Sequence, residues 1–359
     1  MSVLSKINHY RRGVMRNLTK NIGKPKMEDD IILVDKNEIK RVLICRPNGR
    51  LGNLLLITPL VQEVAQTFPN CKIDLFVKGT LAPIIFENYD VVNKTIHLPK
   101  KPFKSLVEYM KVWISIKKAP YDMVINVDQN SSSGRLAVRF SNAKYKFYGD
   151  SGELTNTKND YEHIAKYPVY NFRNYLTKLR LSQSNKIVPP LDLKLSPAEI
   201  LHGRRVLSEL VENKDKKTIS IFTFATGTKC LGVDWWEDFY SKLKAEYIDY
   251  NIIEILPVEN VSQIDFKAPA FYSKDIREIG SVIANTEVFI GADSGIMHLA
   301  SSVLTPTIGL FSVSNLKKYE PYDNCSIGVD VNSYTTKEYF KTINSILENG
   351  KLDLYSKAI

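Results

Sequence analysis

The most informative stretch of this chain is VFIGADSGIMHLA, residues 288–300, in which an apolar strand stops at Gly-Ala-Asp and a helix begins at Ser294-Gly295. The first backbone N–H groups of a helix have no intrahelical partner and carry partial positive charge, so this junction is suited to binding phosphate. His298 follows Ser294 by one turn and shares its helix face. The alternative is structural, since Asp or Ser before a helix is commonly an N-cap and a lone helical His is commonly a core residue.

Length and charge restrict the classes of protein to consider. The 359 residues exceed the size at which one hydrophobic core usually stops growing, which predicts two domains. The formal net charge of +10 indicates an acidic partner, namely a nucleic acid, an anionic membrane surface or a phosphorylated small molecule. Much of the excess lies in residues 6–26, which hold seven basic residues and no acidic one. Because no nucleic-acid-binding motif accompanies this charge, we expect no nucleic-acid partner.

The basic N-terminal segment allows two interpretations. Val3, Leu4, Ile7, Val14 and Leu18 fall near helical spacing, which is typical of a short amphipathic helix resting on anionic lipid. The other interpretation is a disordered basic leader. Neither a signal-peptide core nor an apolar run of roughly 18 to 20 residues is present, so we expect a cytoplasmic protein, peripheral on the inner face of the cytoplasmic membrane if the helix forms.

Metal and disulfide chemistry are not indicated by the sequence. The four cysteines are far apart and form no CxxC pair, which argues against a zinc site or a disulfide framework. No Asp-x-Asp triplet occurs, so the common carboxylate pair for a divalent ion on a nucleotide diphosphate is missing. We therefore expect no metal and no cofactor, and a helix N-terminus with basic side chains must supply the countercharge for a bound diphosphate.

From residue 41 onward the apolar pattern alternates strands and helices, as in parallel α/β sheets. The expected strands are 41–45, 72–77, 94–97, 123–127, 218–224, 251–256, 288–290 and 307–311, and the expected helices lie near 54–68, 103–117, 197–212, 235–246, 274–284 and 294–302. The pattern predicts a basic extension over 1–39 and two Rossmann-like α/β domains over 40–190 and 191–359. Ligands bind beyond the carboxyl ends of the strands in such sheets, so we expect the site in a cleft between the two domains.

Polar residues follow three other predicted strands. The loop RPNGRLGN, residues 46–53, has two glycines three apart that let the backbone turn sharply into a helix, but it lacks the GxGxxG and Walker spacings. Thr226 and Lys229 follow the strand at 218–224, and a lysine flanked by Gly and hydroxyls can neutralise a diphosphate. Glu259 follows the next strand and can accept hydrogen bonds from ribose hydroxyls. A solvated loop lysine and an exposed loop glutamate are the alternatives.

Taken together, these motifs resemble glycosyltransferase family 9, the heptosyltransferases of bacterial lipopolysaccharide synthesis. The family's Asp-Ser/Thr-Gly motif, with a His five residues after the Asp, is matched by DSGIMH, residues 293–298, and LTPTIGLF, residues 304–311, resembles its continuation. The resemblance spans roughly residues 40–322. It implies the GT-B fold, an α/β architecture of two Rossmann-like domains facing each other across a cleft.

The resemblance also implies roles for the residues of this motif. In relatives the motif lies against the donor diphosphate, which implies the same place for Ser294, Gly295 and His298, with Asp293 supporting the turn. The family's usual donor is ADP-heptose. The resemblance therefore implies a nucleotide-diphospho-sugar, ADP-linked, as the substrate that binds there.

Elsewhere the chain both follows and departs from the family pattern. The family's phosphate-contacting Lys, followed seven residues later by Trp, resembles Lys229 and Trp236, and its nucleoside-contacting Glu resembles Glu259. Where the family has an Asp thought to act as general base, this chain has Asn53, and an amide cannot take up a proton at neutral pH. Asp128, which follows the predicted strand at 123–127, is the replacement candidate, with capping of the next turn as the alternative.

The reaction that the resemblance implies is an inverting, metal-independent transfer of a heptose or related sugar. The C-terminal domain binds the nucleotide sugar, and the N-terminal domain binds a lipopolysaccharide-type or other lipid-linked cell-surface glycan. A hypothesis from a different class is a catalytically silent GT-B protein that binds a nucleotide sugar or a lipid-linked glycan. The amide at Asn53 favours that second hypothesis.

Overall fold

The computed structural model describes residues 35–99, 105–149, 158–182 and 184–349. The chain divides into two compact units. The first contains the residues up to Arg50, Pro59–Pro83 and Tyr89–Pro189, and the second contains Leu51–Thr58, Ile84–Asn88 and the chain from Pro190 onward. Two short segments from the N-terminal half of the sequence are therefore part of the second unit. Most of the basic extension, residues 1–34, lies outside the described residues.

The elements alternate as the sequence pattern predicts. The strands are β1 (Arg41–Cys45), β2 (Lys72–Val77), β3 (Val92–His97), β4 (Met123–Asn126), β5 (Tyr145–Phe147), β6 (Thr218–Phe222), β7 (Asn251–Ile255), β8 (Ala270–Phe271), β9 (Val288–Ala292), β10 (Thr307–Phe311) and β11 (Ile327–Asp330). The α-helices are α1 (Leu51–Leu55), α2 (Thr58–Thr67), α3 (Ala82–Ile85), α4 (Leu106–Lys118), α5 (Ser132–Phe140), α6 (Tyr167–Lys178), α7 (Pro197–Leu210), α8 (Val233–Glu246), α9 (Ile276–Ala284), α10 (Gly295–Ser302), α11 (Leu316–Tyr319) and α12 (Thr336–Asn349).

The first unit is built on a five-stranded parallel sheet in the order β3-β2-β1-β4-β5. Its central strands are runs of Val, Leu and Ile that are covered on both faces, as parallel sheets require. On one face, α4 and α5 pack over a core that includes Leu43, Phe76, Ile116, Val124 and Val138. This arrangement leaves the carboxyl ends of β1 and β4 side by side at one edge.

The second unit is built on a six-stranded parallel sheet in the order β11-β10-β9-β6-β7-β8. Trp236 and Phe239 of α8 and Ile343 of α12 pack against Ile221 and Ile290 in its core. In this sheet β6 lies between β7 and β9, as β1 lies between β2 and β4 in the first. The two sheets therefore share one local strand order, in which β6 corresponds to β1 and β9 to β4.

The predicted α/β class is confirmed, and the strands predicted at 41–45, 72–77 and 307–311 have those bounds. The helix predicted over 54–68 is instead two helices, α1 and α2. They are separate because Pro59 has no N–H to donate and the Thr58 hydroxyl bonds to the Leu55 carbonyl at 2.8 Å. Helices α5, α6 and α12 were not predicted. Among the helices described here, none is long and apolar enough to cross a membrane.

Candidate functional site

The junction between β9 and α10 has the geometry that its sequence predicts. Strand β9 is wholly buried, and the Asp293 N–H extends its pairing by donating to the Leu310 carbonyl at 3.0 Å. Ser294 has extended backbone angles and is the N-cap, with its Oγ accepting the Met297 N–H at 3.2 Å. Gly295 is the first residue of the helix. The Ser294 side chain thus serves as the cap, and the positive end of α10 lies directly after the strand.

A lysine is fixed next to this helix end. The Lys229 Nζ lies 2.5 Å from an Asp293 carboxylate oxygen and 5.6 Å from the centre of the Tyr319 ring. Lys229 ends a short 3-10 turn, Gly227–Lys229, that follows β6, the strand beside β9. The Asp293 side chain is 5% exposed and that of Lys229 is 39% exposed, so the carboxylate is buried and the ammonium reaches solvent. The pair therefore holds a positive charge at the strand ends, where an anion can reach it.

His298 packs against the segment from the N-terminal half of the sequence. A Cβ atom on Gly52 would lie 2.8 Å from Cδ2 of His298, and one on Gly295 would lie 3.2 Å from the Leu51 Cβ. Helices α1 and α10 are thus in contact through glycines, with His298 buried between them. Asn53, the residue after Gly52, is half-buried on α1. The Asn53 position is therefore part of the second unit, beside the helix that was predicted to bind phosphate.

The loop that carries Glu259 is anchored by a carboxylate that the sequence analysis did not select. Glu254 is fully buried in β7, where it accepts hydrogen bonds from the Thr223 hydroxyl at 2.6 Å and the Ser262 hydroxyl at 2.7 Å. The Gln263 N–H in turn donates to the Thr223 Oγ1 at 3.0 Å. Burial raises the pKa of Glu254, and the two hydroxyl donors oppose that rise. A glutamate within the apolar run NIIEIL, residues 251–256, is the sequence signal of this anchor.

The comparisons with known proteins agree with this geometry. A family model described as glycosyltransferase family 9 (heptosyltransferase) matches residues 273–346, which contain the β9–α10 junction. Lipopolysaccharide heptosyltransferase 3 of Escherichia coli strain K12 is 25% identical over 298 residues, which cover 76% of this chain and 82% of that protein. The chain is therefore similar to glycosyltransferase family 9, in its C-terminal part to the family model and over most of its length to this relative.

Solved structures show the fold class of this chain. The crystal structure of the glycosyl transferase family 9 from Veillonella parvula DSM 2008 covers 88% of this chain and 99% of its own, with a TM-score of 0.68 and 16% identity. The structure of E. coli heptosyltransferase WaaC with ADP-2-deoxy-2-fluoro heptose covers 85% and 99%, with a TM-score of 0.58 and 16% identity. At these identities the likeness concerns the fold, and it confirms the GT-B class.

The first unit carries an ion pair of its own at the strand ends. Arg46 follows β1, and its guanidinium nitrogen lies 3.0 Å from a carboxylate oxygen of Asp128, which follows β4. The other Asp128 oxygen accepts the Asn130 N–H at 2.9 Å, so the aspartate also caps the turn before α5. The Arg46 side chain is 7% exposed and that of Asp128 is 31% exposed. Arg46 was not selected from the sequence, although it begins the RPNGRLGN loop.

The remaining predicted residues lie at different places in the second unit. Thr226 and Glu259 are exposed, the first just before the turn that ends at Lys229 and the second after β7. Trp236 is a core residue of α8 with no exposed surface. The structure therefore brings Lys229 and Asp293 into contact and places Thr226 and Glu259 on the loops that follow β6 and β7.

Proposed function

We propose that this enzyme transfers a heptose or related sugar from an ADP-linked donor to a lipopolysaccharide-type or other cell-surface glycan acceptor. The proposal is supported by the relatives, which include lipopolysaccharide heptosyltransferase 3 and a heptosyltransferase solved with ADP-2-deoxy-2-fluoro heptose. The observation that carries it is the Lys229–Asp293 pair at the start of α10. That pair supplies a fixed cation for a diphosphate. We also propose that the enzyme acts in the cytoplasm, at the membrane that holds a lipid-linked acceptor.

The donor diphosphate would bind at the N-terminus of α10. Ser294 caps the Met297 N–H, and the earlier first-turn amides of Gly295 and Ile296 face the same end of the helix by helix geometry. The Lys229 ammonium, held by Asp293 and 39% exposed, adds a charged N–H donor at that end. Glu259, on the loop anchored by Glu254, is our candidate for the ribose hydroxyls, with Thr226 as a further donor to phosphate. These groups make transfer without a metal ion chemically reasonable, because they supply the countercharge themselves.

In the proposed transfer step, an acceptor hydroxyl oxygen attacks the anomeric carbon as the bond from that carbon to the diphosphate oxygen breaks. A single in-line displacement of this kind inverts the anomeric centre. The electron pair of the broken bond stays on the diphosphate, where Lys229 and the α10 amides stabilise it. The acceptor proton passes to a base, which we assign to Asp128, because its carboxylate reaches solvent while its partner Arg46 is buried.

The decisive test of the donor site is the Lys229→Ala variant. We expect its turnover with ADP-heptose to fall on the order of 100-fold or more, because the departing diphosphate loses its cation. The matched control is Lys242→Ala, which removes an exposed lysine that pairs with Asp238 on the same unit. Equal turnover in the two variants would contradict the donor-site assignment. The assay is product formation in the presence and absence of EDTA, and a loss of native activity with EDTA would contradict the metal-independent mechanism.

The second candidate function is a catalytically silent binding protein. The amide of Asn53 favours it, since α1 lies against the donor helix α10 and Asn53 stands where the family resemblance places its base. The Asn53→Asp variant separates the two proposals. Activity that appears only in this variant would mean that the native chain is a catalytically silent binding protein. Activity in the native chain would exclude that second proposal.

A further inference from the structure

The helix α4 of the first unit presents an unusual outer face. Its inner side packs into the core through Trp113 and Ile116. Its outer side also carries large apolar residues, each between 48% and 68% exposed. We call this set the α4 outer face, and its members are Leu106, Val107, Met110 and Ile114. We propose that the α4 outer face docks on an anionic phospholipid bilayer.

The four residues form one continuous stripe along the helix. Leu106, Met110 and Ile114 are spaced by four and lie on one ridge, with Val107 beside them seven residues before Ile114. Phe140 of α5, which is 48% exposed, lies beside this helix, with its ring centre 5.8 Å from that of Trp113. Single exposed apolar side chains are ordinary on a protein surface, but a contiguous group of them indicates a contact with an apolar phase.

Basic residues border this stripe. Lys111, Lys117 and Lys118 are exposed on α4 itself. Lys146 of β5 lies near Lys117, and its Nζ donates to the Arg139 carbonyl at 3.4 Å. Burial lowers the pKa of Lys146, and the nearby charge of Lys117 lowers it further, so these cations lie close enough to repel each other. Like charges held together at a surface favour an anionic partner.

The combination of features selects a bilayer over the other possible occupants. An interfacial helix buries an apolar stripe at the headgroup boundary while flanking lysines reach the anionic headgroups. A second copy of the chain in a two-fold dimer would bring this basic border against itself, with like charges opposed. On α4 the acidic residue Glu108 lies on the side away from the stripe, about 100° beyond Val107, where it neighbours Lys111 but is more than two turns from Lys117 and Lys118.

This inference goes beyond the proposed transfer reaction and is tested without donor or acceptor. The full-length protein is mixed with vesicles of phosphatidylcholine alone or with phosphatidylglycerol, and the bound fraction is measured by flotation at moderate salt. We expect binding to the anionic vesicles only. The Met110→Glu/Ile114→Glu double variant should bind at least about tenfold less, because it places two carboxylates in the contact. The Lys117→Gln/Lys118→Gln variant should bind about 25-fold less, at about fivefold for each lysine.

The control is Leu201→Glu, which changes an apolar residue of matching exposure on α7 in the second unit and should bind as the native protein does. Circular dichroism and thermal unfolding check that each variant folds. Undiminished vesicle binding by both α4 variants would assign the contact to another part of the chain and overturn the proposal. Absence of vesicle binding by the native protein would also overturn the proposal. A native dimer that Met110→Glu/Ile114→Glu converts to a monomer would identify a second copy as the occupant instead.

Discussion

The two sheets carry equivalent ion pairs with opposite exposure. In the first unit the cation Arg46 follows β1 and the anion Asp128 follows β4, and in the second the cation Lys229 follows β6 and the anion Asp293 follows β9. In the first pair the arginine is buried and the aspartate reaches solvent. In the second the aspartate is buried and the lysine reaches solvent.

This difference shows how one local topology can present two chemistries. A buried charge needs a partner, so each buried member fixes the position of the exposed one. The first edge then offers a carboxylate, which can accept a proton, and the second offers an ammonium, which can bind a phosphate. The comparison supports assigning acceptor activation to Asp128 and donor binding to Lys229, and each variant below tests one side of it.

The largest effect is expected from removing the exposed anion of the first unit. If Asp128 takes the acceptor proton, Asp128→Asn should lower turnover by about 10²- to 10⁴-fold with unchanged donor affinity, because an amide cannot accept that proton. The measurement is turnover with ADP-heptose alongside ADP affinity by calorimetry. The control is Asp90→Asn, which changes an exposed aspartate of the same unit. Full activity in Asp128→Asn would mean that this aspartate only caps the turn before α5 and is not the base.

A double-mutant cycle tests the buried anion of the second unit. If Asp293 acts by holding Lys229, Asp293→Asn should weaken ADP binding by about tenfold in the native background and by much less in Lys229→Ala. The two losses should therefore not add. Additive losses would mean that Asp293 contributes to the site independently of the lysine, and the correspondence with the first pair would fail.

A smaller effect is expected from the contact between α1 and α10. Gly52→Ala places a Cβ within 2.8 Å of the His298 ring, so the helices must separate or the ring must move. We expect a loss of about 1–3 kcal/mol in the free energy of unfolding, with weaker ADP binding, as judged by thermal unfolding and calorimetry. Gly232→Ala is the control, because a Cβ there would meet nothing within 4 Å. Equal behaviour of the two variants would contradict close packing at Gly52.

The fold was predictable from sequence wherever its signal is local. The run VFIGADSG contains the apolar strand, the turn and the cap in consecutive residues, and the structure places each of them there. The Arg46–Asp128 pair was not predictable, because its members are 82 positions apart and meet only when β1 and β4 pair. The Gly52–His298 contact was not predictable for the same reason, because its members are also far apart in the sequence. In α6 polar residues and Pro168 weaken the periodic pattern on which helix prediction rests.

The site was predictable only as a set of residue types. Lys229, Glu259 and the 293–298 motif were selected from strand ends and family resemblance, and their functional roles stay predictions. Their supports were missed, since the apolar run around Glu254 was interpreted only as a strand and Tyr319 has no motif. Side chains that position other side chains are recognised from their contacts in the structure and rarely from a sequence motif.

The smallest expected effect is on the pH dependence of stability, and it concerns the buried carboxylates of the two sheets. Both carboxylates accept hydroxyl hydrogen bonds, but Asp74 in β2 also has two cations nearby, Arg41 at 3.6 Å and Lys94 at 3.7 Å. The side-chain partners of Glu254 in the corresponding strand β7 are the Thr223 and Ser262 hydroxyls. Burial raises the pKa of Glu254 in the folded state above its unfolded value, so the folded protein binds the proton more tightly. Its contribution to stability is then fullest below the unfolded pKa and declines as pH rises through the folded pKa.

The Glu254→Gln variant removes this pH dependence. Compared with the native protein, the variant should therefore gain relative stability between pH 5 and pH 8, by about a few degrees in melting temperature or less. The measurement is the difference in melting temperature between variant and native protein at the two pH values. Glu287→Gln, which removes a carboxylate paired with Lys217 in the same unit, serves as the control for the loss of a carboxylate outside the buried site. A constant difference for Glu254→Gln would mean that its carboxyl titrates alike in the folded and unfolded chains.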